Sequence, residues 1–113
     1  MDEAEATARR AMAIAERCDD HSAYARATTA LCVPQWSRYE LTDSLASREV
    51  GVAHARAAAD ESVLAGGPLF RVPLVLTWLG RLDEAEERAR ECCAIADRVH
   101  YPLELGLPLA AAG

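Results

Sequence analysis

Lysine is absent from this chain: all twelve of its basic residues are arginine. No phosphate-loop lysine, Schiff-base lysine or pyridoxal anchor can therefore exist here. Aromatic residues are scarce, at 5%. Long apolar runs are missing too, because "PLFRVPLVLTWLG" falls short of the roughly 18 apolar residues that cross a bilayer and carries Arg71. A basic, then apolar secretory leader is also lacking, since the chain begins with Asp2, Glu3 and Glu5. These absences lead to the expectation of a soluble, cytoplasmic protein with no membrane contact. The net charge of −6 argues against direct nucleic acid binding, which needs a basic patch to neutralise phosphates.

What is abundant is alanine, the best helix former, within an apolar content of 51%. That composition favours closely packed helices. Residues 1–113 are one domain's worth of chain and support a single core.

The chain repeats itself. A shift of 81 residues lays Asp2, Glu3, Ala4 and Glu5 on Asp83, Glu84, Ala85 and Glu86. The same shift lays Ala8 and Arg9 on Ala89 and Arg90, and Ala13, Ile14, Ala15 and Arg17 on Ala94, Ile95, Ala96 and Arg98. A second spacing places Pro34, Pro68 and Pro102 34 residues apart, and proline suits the first helical position. Periods of this length signal stacked helical repeats.

Small residues form one stripe on each of three expected helices: Ala4, Ala8, Ala11, Ala15 and Cys18; Gly51, Ala55, Ala58, Ser62 and Ala65; Ala85, Ala89, Cys92, Ala96 and Val99. Such a stripe admits a neighbouring helix at close range. The other faces carry Glu5 with Arg9, Glu84 with Arg88 and Glu86 with Arg90, the favourable i,i+4 order of a solvated surface. Helices are expected at 2–19, 21–32, 48–65, 69–79, 82–99 and 103–112. The 34-residue grid starts a helix at Pro34, whereas the 81-residue shift makes 33–47 an insertion; the two registers differ by 13 residues. A short extra helix there is the preferred reading.

The stretch "WLGRLDEAEERARECCAIADRV" resembles a tetratricopeptide-type repeat. Gly80 stands where that family turns between its two helices, and "LDEAEERA" looks like the start of its second helix, with Ala85 at the small packing position. Long second helices followed by a turn and a proline, as at Pro102, are similar to the repeat regions of large bacterial transcriptional regulators of the MalT and LuxR type. The likeness covers 68–113 well, 1–33 fairly, and 34–67 through spacing and the small-residue face. Leu69, Val72 and Leu76 replace the family's first-helix aromatics, and Pro73 stands where glycine or alanine is usual. The resemblance implies an all-α fold of antiparallel helix hairpins stacked as a short α-solenoid. It also implies a surface for proteins or effectors in signalling and transcription regulation. A phosphate loop and a helix-turn-helix are not recognisable.

Chemistry-bearing residues are sparse in pattern. Cys92 and Cys93 are adjacent and point about 100° apart on a helix, unlike zinc ligands. Cys18 and His21 lack a second pair, and cytosolic cysteine is more often a small hydrophobe than a disulfide or ligand. His21, His54 and His100 accompany no nucleophile or glycine-rich loop, and Glu84, Glu86, Glu87 and Glu91 share one solvated environment. The expectation is no catalysis, no cofactor and no metal.

"PLFRVPLVLTWLG" is apolar on two stripes, Leu69, Val72, Leu76 and Leu79 on one, Phe70, Leu74, Thr77 and Trp78 on the other. A helix apolar all round is buried or meets a partner. First helices of the resembled repeat line its concave groove, so Phe70, Arg71, Leu74 and Trp78, with Trp36, Arg38 and Tyr39 beside them, form the candidate surface for a protein or peptide; the competing reading is ordinary core. The chain opens on a second helix and stops after a first one, so it is expected either to form a homodimer through uncapped repeat ends or to be a fragment beginning and ending mid-repeat. The leading reading is a non-catalytic interaction and regulatory module. The alternative is a small-molecule effector domain enclosing a pocket around Phe70 and Trp78.

Overall fold

In the computed structural model, which describes residues 2–100, one kind of helix ending recurs along the chain. The helices are α1 (Glu3–Arg17), α2 (His21–Ser37), α3 (Leu41–Ala57), α4 (Glu61–Gly66), α5 (Val72–Trp78) and α6 (Leu82–Arg98). After α1, α2, α3, α5 and α6 stands a residue in the left-handed region: Asp19, Tyr39, Ala59, Gly80 and His100, with φ between 53° and 78°. At the first four of these turns the next N–H reaches back five residues, from Asp20 to Ala15, Glu40 to Gln35, Asp60 to Ala55 and Arg81 to Leu76, at 2.9 to 3.1 Å. The left-handed residue itself donates three residues back, as Asp19 does to Glu16 and Tyr39 to Trp36. These paired bonds satisfy carbonyls that a helix end would otherwise leave orphaned.

Helix starts are equally local in cause. The carboxylates of Asp2, Asp20 and Asp60 accept the N–H groups of Glu5, Ala23 and Val63 at 2.8, 3.0 and 3.1 Å. Each is worth about 1 kcal/mol as an N-cap.

Left-handed residues at 19, 39, 59, 80 and 100 define a unit of about twenty residues, helix plus turn. A hairpin therefore takes about forty, and two hairpins give the 81-residue shift seen in the sequence. The 34-residue proline grid is not a period of this fold. Pro34 is buried inside α2, and Pro68 lies in the turn between α4 and α5. Pro73 sits in the first turn of α5, where its missing N–H costs nothing.

Two expectations are thereby corrected. No extra helix fills 33–47, because α2 runs on to Ser37 and α3 begins at Leu41 after a three-residue turn. The helix placed at 48–65 is displaced, since α3 ends at Ala57 and α4 starts at Glu61. The break expected at Gly66, Gly67 and Pro68 is present, and it divides residues 61–78, about one unit of the twenty-residue rhythm, into α4 and α5. The expected helix 103–112 lies outside the described residues.

Successive helices pack antiparallel, α1 on α2, α2 on α3 and α5 on α6, while α3 also meets α4 and α5. No strand occurs among the described residues. The core centres on the broken segment: Leu69, Val72, Val75 and Leu76 are fully buried, joined by Val52, Leu64, Ala85, Cys92 and Ile95. Burying each large side chain contributes about 1.5–3 kcal/mol. Gly51 marks the closest approach of α3 to its neighbours, where an added Cβ would lie 2.1 Å from the Thr28 hydroxyl and 2.9 Å from Pro68.

The small-residue stripes are realised unevenly. Ala85, Ala89, Cys92 and Ala96 are buried on α6, but on α1 Ala8 and Ala15 are buried while Ala4, Ala11 and Cys18 face solvent. In the middle stripe Gly51 and Ala55 are buried, Ala58 is exposed at the end of α3, and Ser62 and Ala65 belong to α4. Glu5 pairs with Arg9 and Glu86 with Arg90 as expected. Arg88 instead reaches across to Glu49 of α3, and Glu84 takes Arg81. Together with Arg56–Glu91 and Arg98–Glu61, the Arg88–Glu49 pair ties α6 to α3 and α4.

Candidate functional site

Trp36, in the last turn of α2, and Trp78, the last residue of α5, meet with ring centroids 5.2 Å apart and planes tilted by 55°. At the other end of α2, Ser22 donates to Asp60, the N-cap of α4, at 2.8 Å, so the α4–α5 segment lies along α2 from the start of one to the end of the other. The contact leaves Trp36 half-buried against the core and Trp78 56% exposed. Tilted aromatic pairs contribute about 0.5–1.5 kcal/mol beyond their area.

The other expected partner residues divide. Phe70 and Leu74 are half-buried, Phe70 against the core, and Arg71 is exposed at the start of α5. Tyr39 is 76% exposed on the turn after α2. Arg38 is occupied elsewhere: its guanidinium donates to Asp2 at 3.2 Å, Glu5 at 3.1 Å and Glu40 at 2.6 Å, clamping the start of α1 to the α2–α3 turn. The Glu40 carboxylate and Glu5 raise its pKa, and Arg38 in turn holds Glu40 below the usual carboxylate range. On the expected stripe of Leu69, Val72, Leu76 and Leu79, the first three are fully buried and Leu79 is half-buried; on the other stripe Phe70, Leu74 and Thr77 are half-buried and Trp78 is exposed.

Beside α2 an open groove of about 400 Å³ is lined by Arg26, Thr29, Asp60, Ser62, Val63, Gly66 and Gly67. It lies where the break at Gly67 interrupts the α4–α5 slot.

Two polar clusters escaped the sequence reading. His21 and His54 bring their Nδ1 atoms to 2.8 Å, and Tyr24 stacks on His54 at 4.0 Å. One proton bridges the two rings, since one Nδ1 must donate and the other accept. Ala15, Glu16, Asp19 and Asp20 complete the cleft of about 90 Å³ around them. Desolvation and then the neighbouring His21 lower the His54 pKa, against a smaller opposing pull from Glu16. The second cluster is Arg48, 2% exposed on α3, whose Nε has no partner among the described residues; the Ser44 hydroxyl and the Gln35 carbonyl oxygen are likewise unpaired.

The cysteines do not assemble a reactive centre among the described residues. Burial pushes the Cys32 thiol up and the Cys92 thiol to about 12, and the Cys92 thiol faces the Ala65 carbonyl at 3.5 Å. No three His, Cys, Asp or Glu side chains of the described residues are placed to hold a metal ion. No helix among them is long and apolar enough to cross a membrane.

Comparison of the chain with protein-family models, with curated proteins and with solved structures finds no match.

Proposed function

We propose that this chain is a protein-interaction module of tetratricopeptide-like hairpins, a regulatory segment of the kind found in bacterial regulators of the MalT and LuxR type, which works by binding rather than by catalysis. The observation that carries the reading is Trp78, more than half exposed yet anchored against Trp36 on a neighbouring helix. Tryptophan, tyrosine and arginine dominate the binding energy of protein interfaces, and a large aromatic side chain held open at the surface is prepared for a partner at little entropic cost. The spacing supports the same reading. Helices of 15 to 17 residues in a forty-residue hairpin exceed the 34-residue tetratricopeptide unit, as the lengthened helices of the resembled regulators do.

The test is a photo-crosslinking comparison in the native host between the wild-type chain and Trp78→Ala. Bands that vanish in the variant while its circular dichroism melt stays within a few degrees support the reading. An identical band pattern in the two would remove the aromatic face from the function.

A further inference from the structure

The surface that carries the tryptophans is also where this acidic protein has put no acid. Between His21 and Ser37, all of α2, there is no carboxylate and one permanent cation, Arg26. Between Ser62 and Gly80, covering most of α4 and all of α5, there is again no carboxylate and one cation, Arg71. Helix α6 alone carries Asp83, Glu84, Glu86, Glu87, Glu91 and Asp97. The net charge of −6 is thus concentrated on other helices.

The cations of this face are unused. Arg9, Arg38, Arg56, Arg81, Arg88, Arg90 and Arg98 all pair with carboxylates. Arg26 and Arg71 make no ion pair among the described residues; Arg10 and Arg17 of α1 make none either, but they stand on a helix that also carries Glu3, Glu5 and Glu16. Beneath the surface the buried Arg48 guanidinium repels Arg71, so the region holds positive charge with nothing described to offset it. Asp60 is the exception at the far end of the groove, and its two oxygens already accept the Ser22 hydroxyl and the Val63 N–H.

Apolar and cationic residues lie on shared stripes. Arg26, Thr29, Val33 and Trp36 recur at three and four residues along α2, and Val33 is 55% exposed. Arg71, Leu74 and Trp78 do so along α5. The Trp36–Trp78 contact joins the stripes at one end, and the Arg26–Gly67 groove joins α2 to the broken helix toward the other.

We infer that this face binds an acidic peptide segment, in which Asp or Glu residues flank an aromatic or aliphatic anchor seated on Trp36 and Trp78. The inference rests on the interaction reading above and names the chemistry of the partner. At a rise of 1.5 Å per residue, Arg71 lies about 10 Å from Trp78 along the helix and Arg26 about 15 Å from Trp36. An extended peptide covers those distances in three to five residues, which sets the spacing between anchor and acid. Guanidinium forks bind carboxylates bidentately, so arginine suits this task better than lysine would. Attraction of this kind accelerates encounter and weakens with salt.

Fluorescence anisotropy with three labelled 12-residue peptides tests the inference on the full chain. One carries Asp and Glu around a Leu-x-x-Phe anchor; the second replaces its acids with Lys; the third keeps the acids and replaces the anchor with Ala. The acidic anchored peptide is expected to bind, with at least tenfold loss in 300 mM salt relative to 50 mM and at least tenfold loss in the Arg26→Glu/Arg71→Glu variant. Both arginines are exposed, so that variant keeps the wild-type circular dichroism. The acid-only peptide is expected to bind at least tenfold more weakly. Binding of the Lys peptide to the wild type, abolished by Trp78→Ala, would overturn the charge assignment and leave the recognition face intact. Acidic binding indifferent to the arginine reversal, or no binding of any peptide, would overturn the inference, while the crosslinking comparison separately decides the broader reading.

Discussion

Replacing Arg48 with methionine should make the protein more stable. Arg48 is 2% exposed on α3, and no hydrogen bond or ion pair engages it among the described residues. Its nearest titratable neighbours give no relief. Burial keeps the Cys32 thiol protonated and therefore uncharged, and Arg71 carries the same sign. Desolvation accordingly lowers the Arg48 pKa, which means that the native state works against this charge. Taking an unpaired guanidinium out of water costs several kcal/mol, and replacing buried ionic groups with apolar residues of similar volume is typically neutral or stabilising by 1–4 kcal/mol. Methionine fills most of the volume of the arginine stem and leaves no charge behind. We expect Arg48→Met to gain about 1–3 kcal/mol, read in urea as a higher midpoint with an unchanged slope, and to raise the Tm by roughly 5–15 °C for a domain of this size. Arg48→Ala, which removes the stem as well, should gain less or lose, because it opens a cavity. A methionine variant less stable than wild type by 1 kcal/mol or more would refute the reasoning, since it would require Arg48 to be favourably paired in solution.

Gly51→Ala is expected to destabilise by about 2–4 kcal/mol in the same urea assay, because its Cβ would meet Thr28 and Pro68 well inside contact distance; a loss below 0.5 kcal/mol would mean that α3 does not approach α2 so closely. Ala59→Gly should stabilise by about 0.5–1 kcal/mol, because alanine at φ 53° bears a Cβ penalty that glycine lacks, and unchanged stability would count against that turn. Stability should begin to fall as the pH drops below about 6.5: the His54 pKa is lower in the folded state, so its contribution is complete above the unfolded value and is lost as the pH falls through the folded one. His54→Gln should flatten the limb that begins below a pH of about 6.5, leaving the separate loss below about 4.5 to which Glu40, Glu61 and Glu84, each held low by its arginine, contribute; an unchanged limb in the variant would remove His54 as its source.

The ends of this fold were legible in the sequence because their signals were local and redundant. Helices α1 and α6 fall within two residues of the expected 2–19 and 82–99, since each combines a first turn rich in acid with periodic alanine. The middle was misread because its turns are written in unusual residues. Gly80 announces a left-handed stop, whereas Tyr39 and Ala59 perform the same stop without glycine. Gly66, Gly67 and Pro68 do mark the boundary between α4 and α5, but that both short helices share one twenty-residue unit is not written in them.

The same displacement hid the site. With α3 started at 48, Arg48 becomes a first-turn residue. Started at Leu41, it falls on the stripe of Ser44, Gly51 and Ala55, and its burial can be foreseen. The His21–His54 contact joins residues 33 apart and depends on the antiparallel packing of α2 and α3, which no local pattern encodes. Trp36, Phe70, Arg71, Leu74 and Trp78 stand out in the sequence as aromatic, apolar and cationic residues in stretches without acid, whereas their degrees of exposure, and the commitment of Arg38 to three carboxylates, do not.

Turns that recur every twenty or twenty-one residues act as a ruler for the gene as well as for the fold. Each ends one helix and reverses the chain, so inserting or deleting a stretch of about forty residues returns every later side chain to its original side. A change of about twenty would turn them all to the opposite one. Length variation in a protein built this way should therefore come in steps of whole hairpins, and a tryptophan carried on one side would remain there while the number of hairpins changed.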